Sequence, residues 1–255
     1  MTYKIITRKF YKYLRLIIAP TLRYSQYIYE DILNENCKPD CVWLDLGCGH
    51  HLLPPWRYEQ EKLLVNKPRL FIGLDYDYHS LTRHKTLKNK IRGDVSYLPF
   101  ASNTFNIVTS NMVFEHLEKP SNQLKEIYRI LKPGGKLIFH TPNVLSYGTI
   151  IARITPEKIK RKIIYFLDER DDDDIFRTFY RINSTKKIRK IAKQAGLQIK
   201  KIKMICSSAL FTNIPPVVFF ELFLIRFLMT KRMKWARANI IAILEKPPHT
   251  ASRIP

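Results

Sequence analysis

Apolar residues fall along this chain in two alternating arrangements. Short unbroken runs occur at "VWLDLG" (42–47), "LFIGLD" (70–75) and "TFNIVTSN" (104–111), and a further run, "KPGGKLIFHTPN", enters from a proline–glycine turn. Runs this short and continuous predict strands covered on both faces. Between them lie segments of helical character: one reaching about Asn66, a polar one from about His79 to Asn89, and one from about Ser121 to Leu131 with Ser121 as its N-cap. A short strand, "IRGD" (91–94), precedes a loop containing Pro99. Strand–helix alternation of this kind predicts an α/β protein with a doubly wound, mostly parallel sheet.

The two ends of the chain depart from that alternation. At the start, Tyr3, Ile6, Phe10, Tyr13 and Ile17 share one helical face, Lys4, Arg8, Lys12 and Arg15 the opposite one, and Pro20 stops the helix. A helix of this kind either lies on a membrane surface or packs on its own domain. No signal-peptide pattern is present. Near the other end, "IPPVVFFELFLIRFLM" (214–229) is apolar but interrupted by Glu221 and Arg226, and is shorter than the roughly 20 residues a span requires. Lys231, Arg232, Lys234 and Arg237 follow it, a flank that anionic lipid attracts.

Composition sharpens this picture. The 255 residues carry a formal charge of +22, and residues 151–255 hold 23 basic against 9 acidic groups. Such an excess suits nucleic acid, anionic lipid or a phosphorylated substrate, or else a merely solvated surface. The four cysteines (Cys37, Cys41, Cys48, Cys206) form no CxxC pair, which points to a reduced, cytoplasmic setting rather than a disulfide scaffold.

Ligands of doubly wound sheets bind beyond the carboxyl ends of the strands, where strand order reverses. Gly47 and Gly49 follow the first strand, Asp75 ends the second, Asp94 the third and Asn111 the fourth, and His140 and Asn143 close the fifth. Glycine admits the backbone close to a ligand, and an acidic residue ending the second strand can accept both hydroxyls of a ribose.

With these residues in place, the chain resembles the class I S-adenosylmethionine-dependent methyltransferases. It is most similar to the type 11 small-molecule group that includes ubiquinone and menaquinone biosynthesis enzymes. The resemblance rests on "WLDLGCG", "FIGLDYD", "GDVSYLPFASNTFNIVTSNMVFEHLEKP" and "EIYRILKPGGKLIFHTPN", across about residues 40–145, and returns at "STKKIRKIAKQAGLQIKKI" (184–202). It implies a Rossmann-like sheet of seven strands with the last pair antiparallel, for which "LQIKKIKMI" (197–205) and "ANIIAILEK" (238–246) are candidates. It implies S-adenosyl-L-methionine as cofactor, with Asp45, Gly47 and Gly49 around its methionine end. Asp75 would then hold the ribose, Asp94 and the backbone of Val95 the adenine, and Asn111 would lie near the sulfonium.

The expected organisation is an N-terminal helical segment (1–36) and a methyltransferase domain (37–255). That domain would carry an inserted cap at about 145–181 and an apolar helical segment at about 214–234. His51 stands where the family pattern has a third glycine, and Pro54 and Pro55 delay the helix, so Leu52 to Trp56 are expected as an extended wall. A phosphate needs that third glycine and this cofactor has none, so methyl transfer survives the departure. Cys48, His50 and His51 are too close in sequence to converge on one ion, and no metal is expected.

A base is required only if the acceptor must lose a proton; His116 and then His140 are the candidates. In the cap, a helix from Thr155 and Pro156 to about Leu167 precedes the acidic run Asp168–Asp174, and Tyr180 and Arg181 join Asn143 as substrate candidates. The expected activity is methyl transfer to a small molecule, an oxygen of a glycan, quinone or lipid-linked precursor. The alternatives are an RNA methyltransferase or a non-catalytic binding domain. An anionic membrane surface is a candidate partner, which would place a cytoplasmic protein at the periphery of the inner membrane. The residues do not define the oligomeric state.

Overall fold

The computed structural model describes residues 2–156 and 176–248. The expected helix to Leu167 lies mostly, and the acidic run Asp168–Asp174 entirely, outside those residues. In chain order come α1 (Thr2–Ile18), α2 (Ser25–Asn36), β1 (Val42–Leu46), α3 (Tyr58–Val65), β2 (Leu70–Asp75), α4 (Tyr78–Arg83), β3 (Asn89–Arg92), β4 (Phe105–Asn111), α5 (Pro120–Ile130), β5 (Leu131–Pro142), α6 (Tyr147–Ile154), α7 (Thr185–Gln194), β6 (Gln198–Ile205), α8 (Pro215–Leu228) and β7 (Asn239–Glu245).

One seven-stranded sheet runs in the order β3-β2-β1-β4-β5-β7-β6. The pairs β1–β2, β1–β4, β2–β3 and β4–β5 are parallel. β7 runs against β5: Asn143 N–H donates to the Ala238 carbonyl at one end (2.8 Å). At the other, Gly134 N–H donates to the Lys246 carbonyl (2.8 Å) and Lys246 N–H to that of Gly135 (2.9 Å). Order reverses between β1 and β4, which sets the binding crevice there.

Two elements differ from the sequence reading for local reasons. α5 begins at Pro120, not Ser121: Lys119 takes the N-cap position without a side-chain bond, and proline at the first helical position gives up only an N–H that would lack a partner. The polar helix after β2 starts where Asp77 caps it, accepting from the N–H groups of His79 (3.1 Å) and Ser80 (3.0 Å), and is short because the chain turns extended at His84. β3 accordingly starts at Asn89. His84 is buried, and desolvation, reinforced by Lys90 and the neighbouring histidines, drives its pKa down to about 4.

The chain comprises two compact units. The larger holds residues Tyr29–Thr141, Thr178–Lys203 and Ile241–Pro255, and it contains β1 to β4 complete. β1 is buried along its whole length, and Trp43 donates its indole N–H to Thr109 Oγ1 at 2.7 Å, so the one polar atom of that ring is satisfied. Phe114 and Phe139 stack 4.1 Å apart in its core.

The smaller unit holds Met1–Ile28, Pro142–Arg177 and Met204–Ile240. There α1 packs on α8 through Tyr11, Leu14 and Ile18, which cluster with Val218, Leu222 and Ile225, and Thr7 is buried along the same line. These α1 positions, spaced 4, 3 and 4 residues apart, define one helical face. It is not the stripe of Tyr3, Ile6, Phe10, Tyr13 and Ile17, which stays exposed. Arg226 donates to the Ile18 carbonyl at 2.6 Å, tying α8 to the C-terminal end of α1. Among the described residues no helix is long and apolar enough to cross a membrane.

Candidate active site

Strand register assembles the site. Leu46 pairs with Leu74 and Ser110, so the residues following them, Gly47, Asp75 and Asn111, line up along the carboxyl edge of β1, β2 and β4. Asn111 in turn pairs with His140 of β5. The β1 turn has both glycines in the left-handed region, Gly47 at φ 68° and Gly49 at φ 54°. A Cβ on Gly47 would come within 2.3 Å of Val113 Cγ2, whereas one on Gly49 would meet no described atom within 4 Å. Gly47 therefore serves packing, and Gly49 opens on the space beside the turn. His51 is not in the left-handed region, so histidine stands at the third position without backbone strain.

The turn is bound to the carboxylate that ends β2. Gly49 N–H donates to Asp75 Oδ2 at 2.7 Å and Asp77 N–H to Asp75 Oδ1 at 2.8 Å. A carboxylate has about four acceptor positions, so these bonds leave it capacity to accept from a ligand's hydroxyl. Desolvation raises the Asp75 pKa, against the lowering effect of the backbone N–H groups of Asp77, Gly49 and Tyr76. Asp94 is exposed just beyond β3, with Oδ1 accepting from Ser96 N–H at 2.7 Å, and Val95 beside it is half-buried. Asp45 lies behind the turn, 2% exposed, with Oδ1 accepting from Thr109 Oγ1 at 2.5 Å. Burial pushes its pKa up to about 7, and the Asp75 and Glu61 charges add to the shift.

The wall after the turn is tighter than expected. Leu52, Leu53 and Pro54 are buried, Leu53 N–H donates to the buried Glu61 carboxylate (2.8 Å), and Pro55–Arg57 forms a 3-10 turn that leaves Trp56 exposed. His50 and His51 lie ring against ring, centroids 4.3 Å apart. Among the described residues no group of histidines, cysteines and carboxylates is arranged to hold a metal ion.

On the β4–β5 side, His140 is fully buried, its Nδ1 is 2.9 Å from Asn111 Oδ1, and its ring stacks on Tyr29. With that oxygen as acceptor, Nδ1 carries the proton. Desolvation drives the His140 pKa down to about 3, so the ring is neutral and weakly basic at neutral pH. The next residue, Met112, has φ 56° and donates its N–H to the His140 carbonyl at 2.8 Å. A non-glycine residue in that region is held there against a steric cost of about 1–3 kcal/mol.

The half-buried His116 sits on the loop after β4, next to a corner the sequence did not disclose. The Glu115 carbonyl accepts from Phe179 N–H (2.8 Å) and Tyr180 N–H (3.0 Å), and Tyr180 is itself left-handed at φ 51°. The buried Glu115 side chain accepts from Thr141 Oγ1 (2.9 Å), and Asn183 Nδ2 donates to the same hydroxyl (2.6 Å). Tyr180 is thereby brought to the His116 loop, followed by the exposed Arg181. Glu115 lies in "FEHLEKP" and Thr141 in the last strand motif, but nothing in either run marks them as partners 26 residues apart.

Asn143 belongs to the smaller unit and is 1% exposed. Its amide donates to the Trp235 and Arg237 carbonyls (2.8 Å each), and its oxygen accepts from Leu145 N–H (3.1 Å). Its polar atoms hold loops together and none faces outward. His140 is likewise buried, with its Nδ1 engaged by Asn111.

A reversal between β1 and β4, a glycine turn tied to the acid ending β2, and a second acid after β3 are features of the Rossmann-like class of fold. The sheet order with its antiparallel seventh strand is that of the methyltransferase branch. Residues 44–139 match the family described as "Methyltransferase domain", and the chain carries a class I S-adenosylmethionine-dependent methyltransferase domain. It is similar to a demethylmenaquinone methyltransferase of Lactiplantibacillus plantarum, 35% identical over 104 residues, 37% of this chain and 42% of that protein. It is also similar to a ubiquinone/menaquinone biosynthesis C-methyltransferase of Ruegeria, 42% identical over 48 residues, 19% of either chain. The chain spans less than half the length of these curated relatives. Among solved structures, an S-adenosylmethionine-dependent methyltransferase from Mesorhizobium loti superposes with a TM-score of 0.52 at 16% identity, covering 84% of this chain and 96% of that one. At that identity the likeness is one of fold.

Proposed function

We propose that this protein transfers the methyl group of S-adenosylmethionine to a small-molecule acceptor, a hydroxyl oxygen of a glycan, quinone or lipid-linked precursor. The observation that carries the reading is the 2.7 Å bond from Gly49 N–H to Asp75, which fixes an open glycine turn against a ribose-accepting carboxylate. The residues fit the cofactor: Asp75 for its ribose, Asp94 and the Val95 backbone for adenine, Gly47 and Gly49 for the methionine end. Asp45 supports the turn from behind. When bound, the cofactor supplies a methyl group already activated by the sulfonium charge. What the chain must add is alignment of the acceptor at about 3 Å and exclusion of water. Asn111, oriented by His140, faces the reacting end; Tyr180 and Arg181 receive the acceptor. His116 takes the hydroxyl proton.

The relatives named for quinone biosynthesis favour a quinone among the acceptors. One is named a C-methyltransferase, which makes a ring carbon the competing atom. Calorimetry should show S-adenosylmethionine bound in preference to NAD, and incubation with a carbon-13 methyl donor should label the acceptor on oxygen. A carbon-bound label would replace the acceptor atom, methylated RNA would replace the substrate class, and preference for NAD would overturn the reading. His116→Ala should lower turnover by roughly 10²–10⁴-fold with cofactor affinity kept. Retained turnover across the pH range would remove His116 from the chemistry.

A further inference from the structure

α8 presents a physical anomaly. A helix apolar on all sides is ordinarily buried on all sides. Here Val218, Leu222 and Ile225 face the core, yet the opposite side, Phe220 (72% exposed), Phe227 (56%) and Phe223 (49%), is bare. Arg226 is the one charged residue on the exposed part of this helix, and its guanidinium is drawn to the end of α1. α1 adds a second bare apolar stripe, Tyr3, Ile6, Phe10, Tyr13 and Ile17, all at least 40% exposed. An apolar surface this extensive on two packed helices marks an interaction site.

The charges say with what. Thr2–Ile28 contains six basic residues and no carboxylate, and Met204–Ile240 contains five basic residues and one carboxylate, Glu221. Glu221 is buried and its charge is spent inward, accepting from Tyr147 Oη (2.6 Å), Leu210 N–H (2.6 Å) and Phe211 N–H (3.0 Å). Arg8, Lys9 and Lys12 are exposed on α1, and Lys231, Arg232 and Lys234 just after α8, beside the half-exposed ring of Trp235. Bare aliphatic and aromatic side chains edged by lysine, arginine and tryptophan, with no outward carboxylate among the described residues of α1 and α8, match the chemistry of an anionic bilayer: acyl chains for the former, headgroup phosphates for the latter.

We infer that the α1–α8 face docks on an anionic membrane surface, without crossing it. The lipid-linked acceptor proposed above gives such docking a use, but vesicle binding is read without turnover, so either reading can fail alone. A second copy of the chain would also cover apolar side chains, but it would bring its own cations against these.

Flotation of the full chain with phosphatidylcholine vesicles containing 30% phosphatidylglycerol, as the chosen probe, tests the inference. Retention should be at least tenfold weaker on pure phosphatidylcholine and fall as salt is raised, since each basic residue at such a surface contributes about fivefold. Phe220→Ser with Phe227→Ser, and separately Lys231→Glu with Lys234→Glu, should each reduce retention at least tenfold. These are exposed positions, so melting temperature and S-adenosylhomocysteine binding should not change. The fluorescence of Trp235, taken as the difference from Trp235→Phe, should shift to the blue with vesicles. Absence of flotation at low salt would overturn the inference. So would retention indifferent to the phenylalanine changes and matched by RNA, which would make the face a polyanion site, or a wild-type dimer in solution that the phenylalanine changes dissolve.

Discussion

Removing the carboxylate of Asp75 should damage the fold and the ligand site together, whereas removing that of Asp94 should damage the ligand site alone. Asp75 accepts the N–H groups of Gly49 and Asp77 at 2.7 and 2.8 Å, and it is half-buried. A hydrogen bond to a charged group contributes about 1.5–3 kcal/mol, and partial exposure places these two at the low end. Asp75→Ala should therefore cost the free protein about 2–4 kcal/mol, several degrees in melting temperature at roughly 2–4 °C per kcal/mol. The lost ribose contacts should lower S-adenosylhomocysteine affinity by about a hundredfold, the equivalent of two decades at 1.4 kcal/mol each. Asp94 is exposed and holds only Ser96 N–H within its own turn, so Asp94→Ala should cost the free protein less than about 1 kcal/mol while still weakening the ligand tenfold or more. Scanning fluorimetry without ligand and titration calorimetry with S-adenosylhomocysteine separate the two effects. Equal melting temperatures for the two variants would refute the buttressing role of Asp75. Wild-type affinity in Asp75→Ala would refute the site.

The two glycines of the turn should separate in the same way. Gly47→Ala drives a Cβ into Val113 and should unfold at lower temperature, while Gly49→Ala should cost only the left-handed strain, about 1 kcal/mol, yet block the ligand. Fluorimetry with and without ligand reads both, and normal affinity in Gly49→Ala would remove that glycine from the cradle. Stability should depend on pH through His140, whose pKa is lowered to about 3 from 6.5. Its neutral form is favoured in the folded state, so its contribution is complete above pH 6.5 and is lost as pH falls from there toward 3. Urea titrations of His140→Gln between pH 6.5 and 4 should show a slope smaller by about 1.4 kcal/mol per pH unit than wild type; an unchanged slope would contradict the burial. Asp45 works in the opposite sense. Its raised pKa of about 7 means folding takes up a proton, so its contribution is complete below about 3.8 and lost as pH rises toward 7, and Asp45→Asn should steepen the acid slope.

Much of the fold was legible because periodicity is a local property. Continuous apolar runs gave β1, β2 and β4 nearly to the residue, and the acids and glycines fell at strand ends because a parallel sheet puts every carboxyl end on one edge. Cofactor chemistry was readable for the same reason: it needs backbone turns and strand-end acids, both marked in sequence.

What tertiary packing alone decided is of another kind. The more apolar stripe of α1 reads as the packing face, yet Tyr11, Leu14 and Ile18 meet α8 and that stripe stays bare, because the choice depends on a partner some two hundred residues away. His140 reads as a strand-end base; its neighbours bury it, with its ring stacked on Tyr29 and hydrogen-bonded to Asn111. Glu115, Thr141 and Asn183 were invisible as a group because a buried polar network is defined by who is adjacent, and adjacency between residues 26 and 42 positions apart has no local signature. Sequence specified which chemistries were available at each strand end; packing selected which of them face outward and which are spent holding the structure.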